Sequence, residues 1–288
     1  MDGSIWRRLR GIDPGGLRAA RIEAHHALQW PARAARAFVP PQPDDSHTNL
    51  GWDDALGGFA TRPLTGDVRL GLNIADLALR WLGGGSTGTN AAFALGRRSD
   101  ADARYWLGEE LGARGLDARR LDLPSPYEMP AHDIAGGAAY GAGELRDARA
   151  ELAAWFANAH AVLGRMRDRM IARGRAASPV RCWPHHFDIA ALTVLDRGGS
   201  AEHARSVNAG LSPGDEHYDE PYFYVSPYPY PEATKLPPLP RPGHWHVRGF
   251  TAAIVTASRI AGAKDQQAQA EAFLHGAVDA ALAALGEC

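Results

Sequence analysis

Residues 145–173 read LRDARAELAAWFANAHAVLGRMRDRMIAR. Apolar side chains recur at Leu152, Trp155, Phe156, Ala159, Val162, Leu163, Met166 and Met170. That three-and-four spacing lines one face of a helix and predicts that the face is buried. Upstream the period changes: Val68, Leu70, Leu72 and Ile74 alternate with Arg69, Gly71 and Asn73, the two-residue repeat of a half-buried strand. Downstream, strand-like runs return near 182–195, 204–211 and 220–228. One long helix between two groups of short strands predicts an α+β fold.

Working outward, residues 17–38 read as a helix that Pro31 must interrupt or kink, since proline offers no N–H and crowds the preceding turn. A Pro-rich turn follows at 40–43, then strand-like runs at 55–64, 67–74 and 77–82. The loop Gly83–Asn90 lacks the Gly-Lys-Ser/Thr ending of a phosphate-binding loop. A helix near 100–114, a short strand near 117–122 and a Gly/Ala-rich hinge at 135–143 complete the first part. At the far end, the proline run 227–242 reads as an extended arm or lid, and 249–262 and 265–285 as two closing helices. Helix, three strands and helix thus occur twice, with Trp52-Asp-Asp and Trp183-Pro-His at matching places. The expectation is an internal duplication joining two α+β halves, 1–142 and 143–288, each a long helix on a small antiparallel sheet, with a pocket at their seam. Coincidence of two common supersecondary patterns is the alternative.

At 288 residues and 45% hydrophobic, the chain is long enough to bury a substantial core. Its net charge is -2 and its basic residues are scattered, which argues against nucleic acid or an anionic membrane surface as partner. All but two of the 31 basic residues are arginine, the mark of GC-rich coding, and a bacterial source is expected. Two cysteines, Cys182 and Cys288, make no disulfide framework. With no apolar leader and no long apolar run, a soluble cytoplasmic protein is expected.

Chemistry concentrates in three blocks: Cys182–Asp188, Gly214–Tyr224 and Gly243–His246, which hold five of the twelve histidines. Burying imidazole, carboxylate and phenol together is costly unless each finds a partner, so the blocks mark the candidate site. On a strand His186 and Asp188 share a face and His185 takes the other; His244 and His246 also lie side by side. Three imidazoles, His186, His244 and His246, with the Asp188 carboxylate suit zinc or iron, for metal-assisted hydrolysis or oxygenase-like oxidation. The plainer reading is satisfied core histidines bonded to backbone carbonyls. Glu220 opens an aromatic strand, where burial would suit it to proton transfer and exposure to a salt bridge with Arg248 or Arg205. Tyr222 and Tyr224 share a face and, with Trp183, His185, Trp245 and Trp52, either line a pocket or fill a core. Asp44, Asp45, His47, Asp53 and Asp54 form a counterpart cluster in the first half. Asp215, Glu216, Asp219 and Glu220 lack the spacing of an EF-hand loop. No Gly-x-Ser-x-Gly elbow occurs, which leaves Cys182 as the one candidate nucleophile, against the commoner buried and inert cysteine.

Segments 158–173, 178–190, 210–228 and 246 onward, with Trp52 to Leu64, resemble in the same order a bacterial family known only as a domain of unknown function. The shared landmarks correspond to Phe187, Asp188, Glu220, Pro221, Tyr222 and Tyr224, while the His185-His186 pair departs from the pattern. The resemblance implies no activity. The leading expectation is an enzyme acting on a small organic molecule, with Asp188 and Glu220 moving protons and Arg248 pairing with an anionic group. A non-catalytic binding module and a scaffold using the Pro-rich arm, self-associating as a homodimer or docking on another protein, are the alternatives.

Overall fold

A computed structural model describes residues 6–84, 91–196 and 204–287. It is an α+β protein with five α-helices and two antiparallel sheets among the described residues. No helix among them is long and apolar enough to cross a membrane. The chain divides into two compact units. The first comprises Ile12–Ala153 and Cys182–Phe187; the second comprises Met1–Gly11, Ala154–Arg181 and Asp188–Cys288.

In the first unit, helix α1 (Pro14–Phe38) is followed by a five-stranded meander: β1 (Gly51–Asp53), β2 (Gly58–Ala60), β3 (Arg69–Asn73), β4 (Ala78–Leu82) and β5 (Ala92–Ala94). Period-2 patterning is visible in the burial: Leu70, Leu72, Leu79 and Trp81 point into the core, and Arg80 points out. Helix α2 (Asp100–Ala113) starts at a capping box in which Ser99 and Asp102 exchange hydrogen bonds. Helix α1 is unusual in burying Arg21, Glu23, His25, His26 and Gln29. Glu23 meets Arg149 at 2.6 Å, both side chains nearly inaccessible, and accepts the Gly141 N–H at 2.5 Å. This bond set packs the Gly/Ala-rich stretch 135–143 into the first unit, so it is not a hinge, and the units part further on, inside helix α3 (Arg146–Ala172).

The second unit takes the rest of α3 and a sheet built from β6 (Ala176–Ala177), β8 (Asp188–Val194), β9 (Ser206–Ser212), β10 (Tyr222–Tyr228), β11 (His244–His246) and β12 (Ala252–Thr256), while β7 (Arg181–Trp183) leads into the Cys182–Phe187 insert of the first. Its order is β11-β12-β10-β9-β8-β6. All eight apolar positions named above on α3 are buried, as their spacing requires, and Trp155 meets Phe223 with ring centroids 6.3 Å apart. Helix α5 (Gln266–Ala284) packs on β9 and β10. Two side-chain amides hold the N-terminal segment to this unit. Asn158 accepts from Arg7 N and donates to Arg7 O, both at 2.7 Å, and Gln266 does the same for Leu9 at 2.9 and 3.1 Å.

Several expected elements differ. Helix α1 runs on through Pro31 because tertiary burial on either side outweighs the missing bond. Residues 118–122 form a 3₁₀ turn capped by Asp117, not a strand. The run 249–262 divides between strand β12 and the five-residue helix α4 (Ala257–Ala261) that follows it, where a single helix is expected; its apolar stretch is short enough to be read either way. The proline run 227–242 is no free arm: Trp245 Nε1 donates to Pro237 O at 2.7 Å, and Pro240 lies so close on α5 that a Cβ at Gly276 would meet its ring at 2.1 Å. That close approach explains a glycine in mid-helix, where it otherwise destabilises by about 1 kcal/mol. Most of the Gly83–Asn90 loop lies outside the described residues. The units are not the contiguous halves 1–142 and 143–288. The turns after Trp52 and Trp183 each end on a residue of positive φ, Gly57 (67°) and Phe187 (58°), but so does the turn ending at Leu77 (50°). The shared form is therefore a recurrent hairpin turn and does not establish a duplication.

Candidate functional site

The first unit contains a pocket of about 480 Å³ lined from α1, residues 44–48, residues 125–129 and the turn 183–187. Gln29, Ala32, Arg33 and Arg36 recur at helical spacing, so one face of α1 forms the pocket wall, and Ala32 is small enough to leave it open. The turn is anchored at several points. Cys182, buried, exchanges backbone bonds with Leu50 at 3.1 and 2.8 Å. The Pro184 carbonyl accepts from both His25 Nε2 (2.7 Å) and Gln29 Nε2 (3.1 Å). Phe187, fully buried with a left-handed backbone, stacks on His25 at 5.2 Å and meets Phe59 edge-on at 6.4 Å. A bulky residue in that conformation is strained by about 1–3 kcal/mol, and the packing around it must supply at least that much.

Several polar groups in and behind the pocket wall are held by the scaffold. Burial depresses the His25 pKa from 6.5 to about 4, against the opposing pull of its bond to Pro184. Its ring is thus neutral near pH 7 with the proton on Nε2, because a carbonyl only accepts. His185, wedged between Trp183 (6.0 Å) and Tyr127 (5.7 Å), is lowered to about 4, first by burial and then by the neighbouring His186 at 4.1 Å. The Tyr127 hydroxyl donates to Gln29 Oε1 at 2.7 Å, and burial raises its pKa to about 12. Arg36 donates to the carbonyls of Leu123 and Pro124, and His26 Nε2 donates to Pro130 O at 2.9 Å, so α1 clamps the segment 123–130 that closes one side.

The second unit holds a different arrangement. The Tyr224 hydroxyl donates to Asp188 Oδ2 across three strands, and Gly210 on the middle strand makes room: a Cβ there would lie 2.6 Å from the Tyr224 hydroxyl. Tyr222 donates to Asp215 Oδ2 at 2.5 Å, and Asp215 Oδ1 accepts the N–H groups of His217 and Tyr218. The phenols of Tyr218, Tyr222 and Tyr224 are all raised by burial and then by the adjacent carboxylates. Tyr218 Oη stands 3.1 Å from both His244 Nε2 and His246 Nδ1. Since His246 Nε2 lies 2.7 Å from the Arg248 carbonyl, it must carry the proton there. Nδ1 then accepts from the Tyr218 hydroxyl, whose oxygen accepts from His244 Nε2–H. The result is a one-way chain from His244 through Tyr218 and His246 to the backbone.

The expected residues therefore fall in two places. Trp183, His185 and His186 belong to the first unit; Trp183 and His185 line the pocket, and His186 is exposed. Trp52, also in the first unit, is buried and donates to Asp54 at 2.9 Å, as a core residue would. Asp188, Tyr222, Tyr224, His244 and His246 gather in the second unit. Glu220 accepts from Ser258 N (2.6 Å) and Ser258 Oγ (3.0 Å), and so caps the first turn of α4; it pairs with neither Arg248 nor Arg205, which pairs with Asp196 and Glu287. Arg248 is exposed, and Trp245 is tied to the proline strap. The three-histidine metal set has no counterpart: among the described residues no three His, Cys, Asp or Glu side chains are placed to hold a metal ion. The physical reason for His244 and His246 is that both facing nitrogens are already engaged by Tyr218.

Gln29, Arg33, Arg36 and Tyr127 are pocket residues that the sequence reading did not single out. The available signal was α1 itself, whose polar groups recur on a face that its length and alanine content mark as buried. Comparisons with protein-family models, with curated proteins and with solved structures find no match to this chain.

Proposed function

We propose that this is a small-molecule-binding protein whose ligand occupies the pocket of the first unit. The observation that carries this is the cavity itself, about 480 Å³, within the range of about 300–1,000 Å³ common for ligand sites. Its walls are apolar and aromatic, with Trp183, Tyr127, Pro126 and Met129, and its scaffold polar groups bond to the Pro184 carbonyl and to one another, which fixes the shape before a ligand enters. Binding is favoured over catalysis in this pocket. A neutral His185 with a pKa near 4 is a weak base at neutral pH, and the Ser125 hydroxyl is engaged with Tyr127 O at 2.6 Å. The test uses the environment-sensitive dye 1-anilinonaphthalene-8-sulfonate: saturable binding should be lost in Trp183→Ala and retained in Trp245→Ala. Equal binding to both variants would remove the pocket from the proposal.

The Tyr218 chain favours a second reading, proton transfer in the second unit, with Asp188 and Tyr224 as a neighbouring acid–base pair. Under it, His244 Nδ1 is the open end that takes a proton, and the shift of charge is relayed toward His246. Nitrogen-detected NMR of the imidazoles is decisive: Tyr218→Phe should release His246 into a mixture of tautomers, and an unchanged single tautomer would sink the relay.

A further inference from the structure

Arg33 and His47 are pocket residues with donors that no group among the described residues accepts. The Arg33 guanidinium lies over the Trp30 ring, 4.8 Å from its centroid, and among the described residues makes no ion pair or hydrogen bond. The carboxylate that influences it, Asp122, is itself held in a two-pronged bond by Arg104 at 2.7 and 2.8 Å. His47 is 94% inaccessible, yet lines the pocket. Its Nδ1 accepts the Gln42 N–H at 3.1 Å, which leaves the proton on Nε2, on the other edge of the ring. That N–H has no partner among the described residues. Neither group is sealed from solvent inside the pocket, so each has a free donor to offer an entering ligand.

Both groups donate, and neither can accept. The carboxylates that line the pocket, Asp44 and Asp45, are exposed at its rim, and Asp44 is engaged by Ser46. We infer that the ligand is a planar organic acid, its carboxylate taken by Arg33 and His47 Nε2–H and its apolar or aromatic body set against the aromatic wall of Trp183, His185 and Tyr127. This rests on the pocket reading above and adds the ligand's chemical class. Arginine suits the role because its planar fork matches two carboxylate oxygens, and the aromatic walls suit a flat body at low entropic cost. Arg36 also lines the pocket, but Leu123 O and Pro124 O fix its two terminal nitrogens, so Arg33 is the freer cation.

The experiment is calorimetric titration of the full chain with three matched probes: naphthalene-acetate, its neutral amide and the corresponding naphthyl-ethylamine. The inference predicts that the acid binds at least about tenfold more tightly than the amide, the scale of one charge-assisted hydrogen bond. The preference should disappear in Arg33→Gln, weaken in His47→Phe, and fall with added salt. Unchanged melting temperatures in Arg33→Gln establish that the fold is intact. Equal binding of acid and amide, or a preference that survives Arg33→Gln, overturns the acid inference and leaves the pocket standing. Preference for the amine overturns it in favour of the rim carboxylates. Failure of all three probes, together with failure of the dye, overturns the pocket reading as well.

Discussion

Around Pro184 in the first unit, imidazole and carboxamide groups donate to backbone carbonyls, and the space beside them stays open. Around Tyr218 in the second, phenols, imidazoles and carboxylates bond mainly to one another. Similar side chains thus produce a concavity in one place and a closed network in the other. The difference lies in what supplies the acceptors. Proline-rich turns expose carbonyls that no neighbouring N–H takes, so side chains anchor there and hold a loop away from the helix. On paired strands the backbone is already satisfied, and the side chains must find partners among themselves.

Removing the anchor of the open site should have the largest effect. Phe187→Ala deletes a fully buried ring that contacts His25 and Phe59, and should destabilise the protein by about 3–5 kcal/mol in urea unfolding. A loss under 1 kcal/mol would mean that the turn is held by its backbone bonds alone. Acid is the next probe. His25 titrates near 4 when folded against its ordinary 6.5, so on acidification the unfolded chain takes the proton first. Its contribution is complete above about pH 6.5 and declines as pH falls toward about 4, by up to about 3 kcal/mol. His25→Gln should flatten that part of the stability profile, and a parallel profile would show that His25 is accessible to protons in the fold.

The closed network should respond more mildly. Tyr224→Phe removes a hydrogen bond to the buried Asp188 carboxylate and should lower stability by about 1.5–3 kcal/mol while leaving dye binding in the first unit unchanged. Loss of dye binding would show that the two regions are coupled. Smallest is Glu220→Ala, which removes the side-chain acceptor for Ser258 at the start of α4; about 1 kcal/mol of stability should be lost, with no change in any binding measurement. A large functional effect with intact stability would return Glu220 to a chemical role.

Period determined the buried face of α3 and strand β3, because a helix repeating at 3.6 and a strand repeating at 2 bury different residues, and short strand-like runs marked β4, β8, β9 and β10, which together give the α+β class. Composition alone located the polar, aromatic blocks. Tertiary structure decided everything that depended on which group bonds to which. It sent His186 and the pair His244 and His246 to different units and made Glu220 a helix cap, and it turned the buried polar stripe of α1, with Arg33 and His47, into a pocket wall. Local sequence could not carry these outcomes. The partners are separated by tens to hundreds of residues, as with His25 and Pro184, 159 positions apart. Hydrogen bonds formed over such distances depend on the packing of the elements that carry them, and no periodicity in the chain encodes that packing.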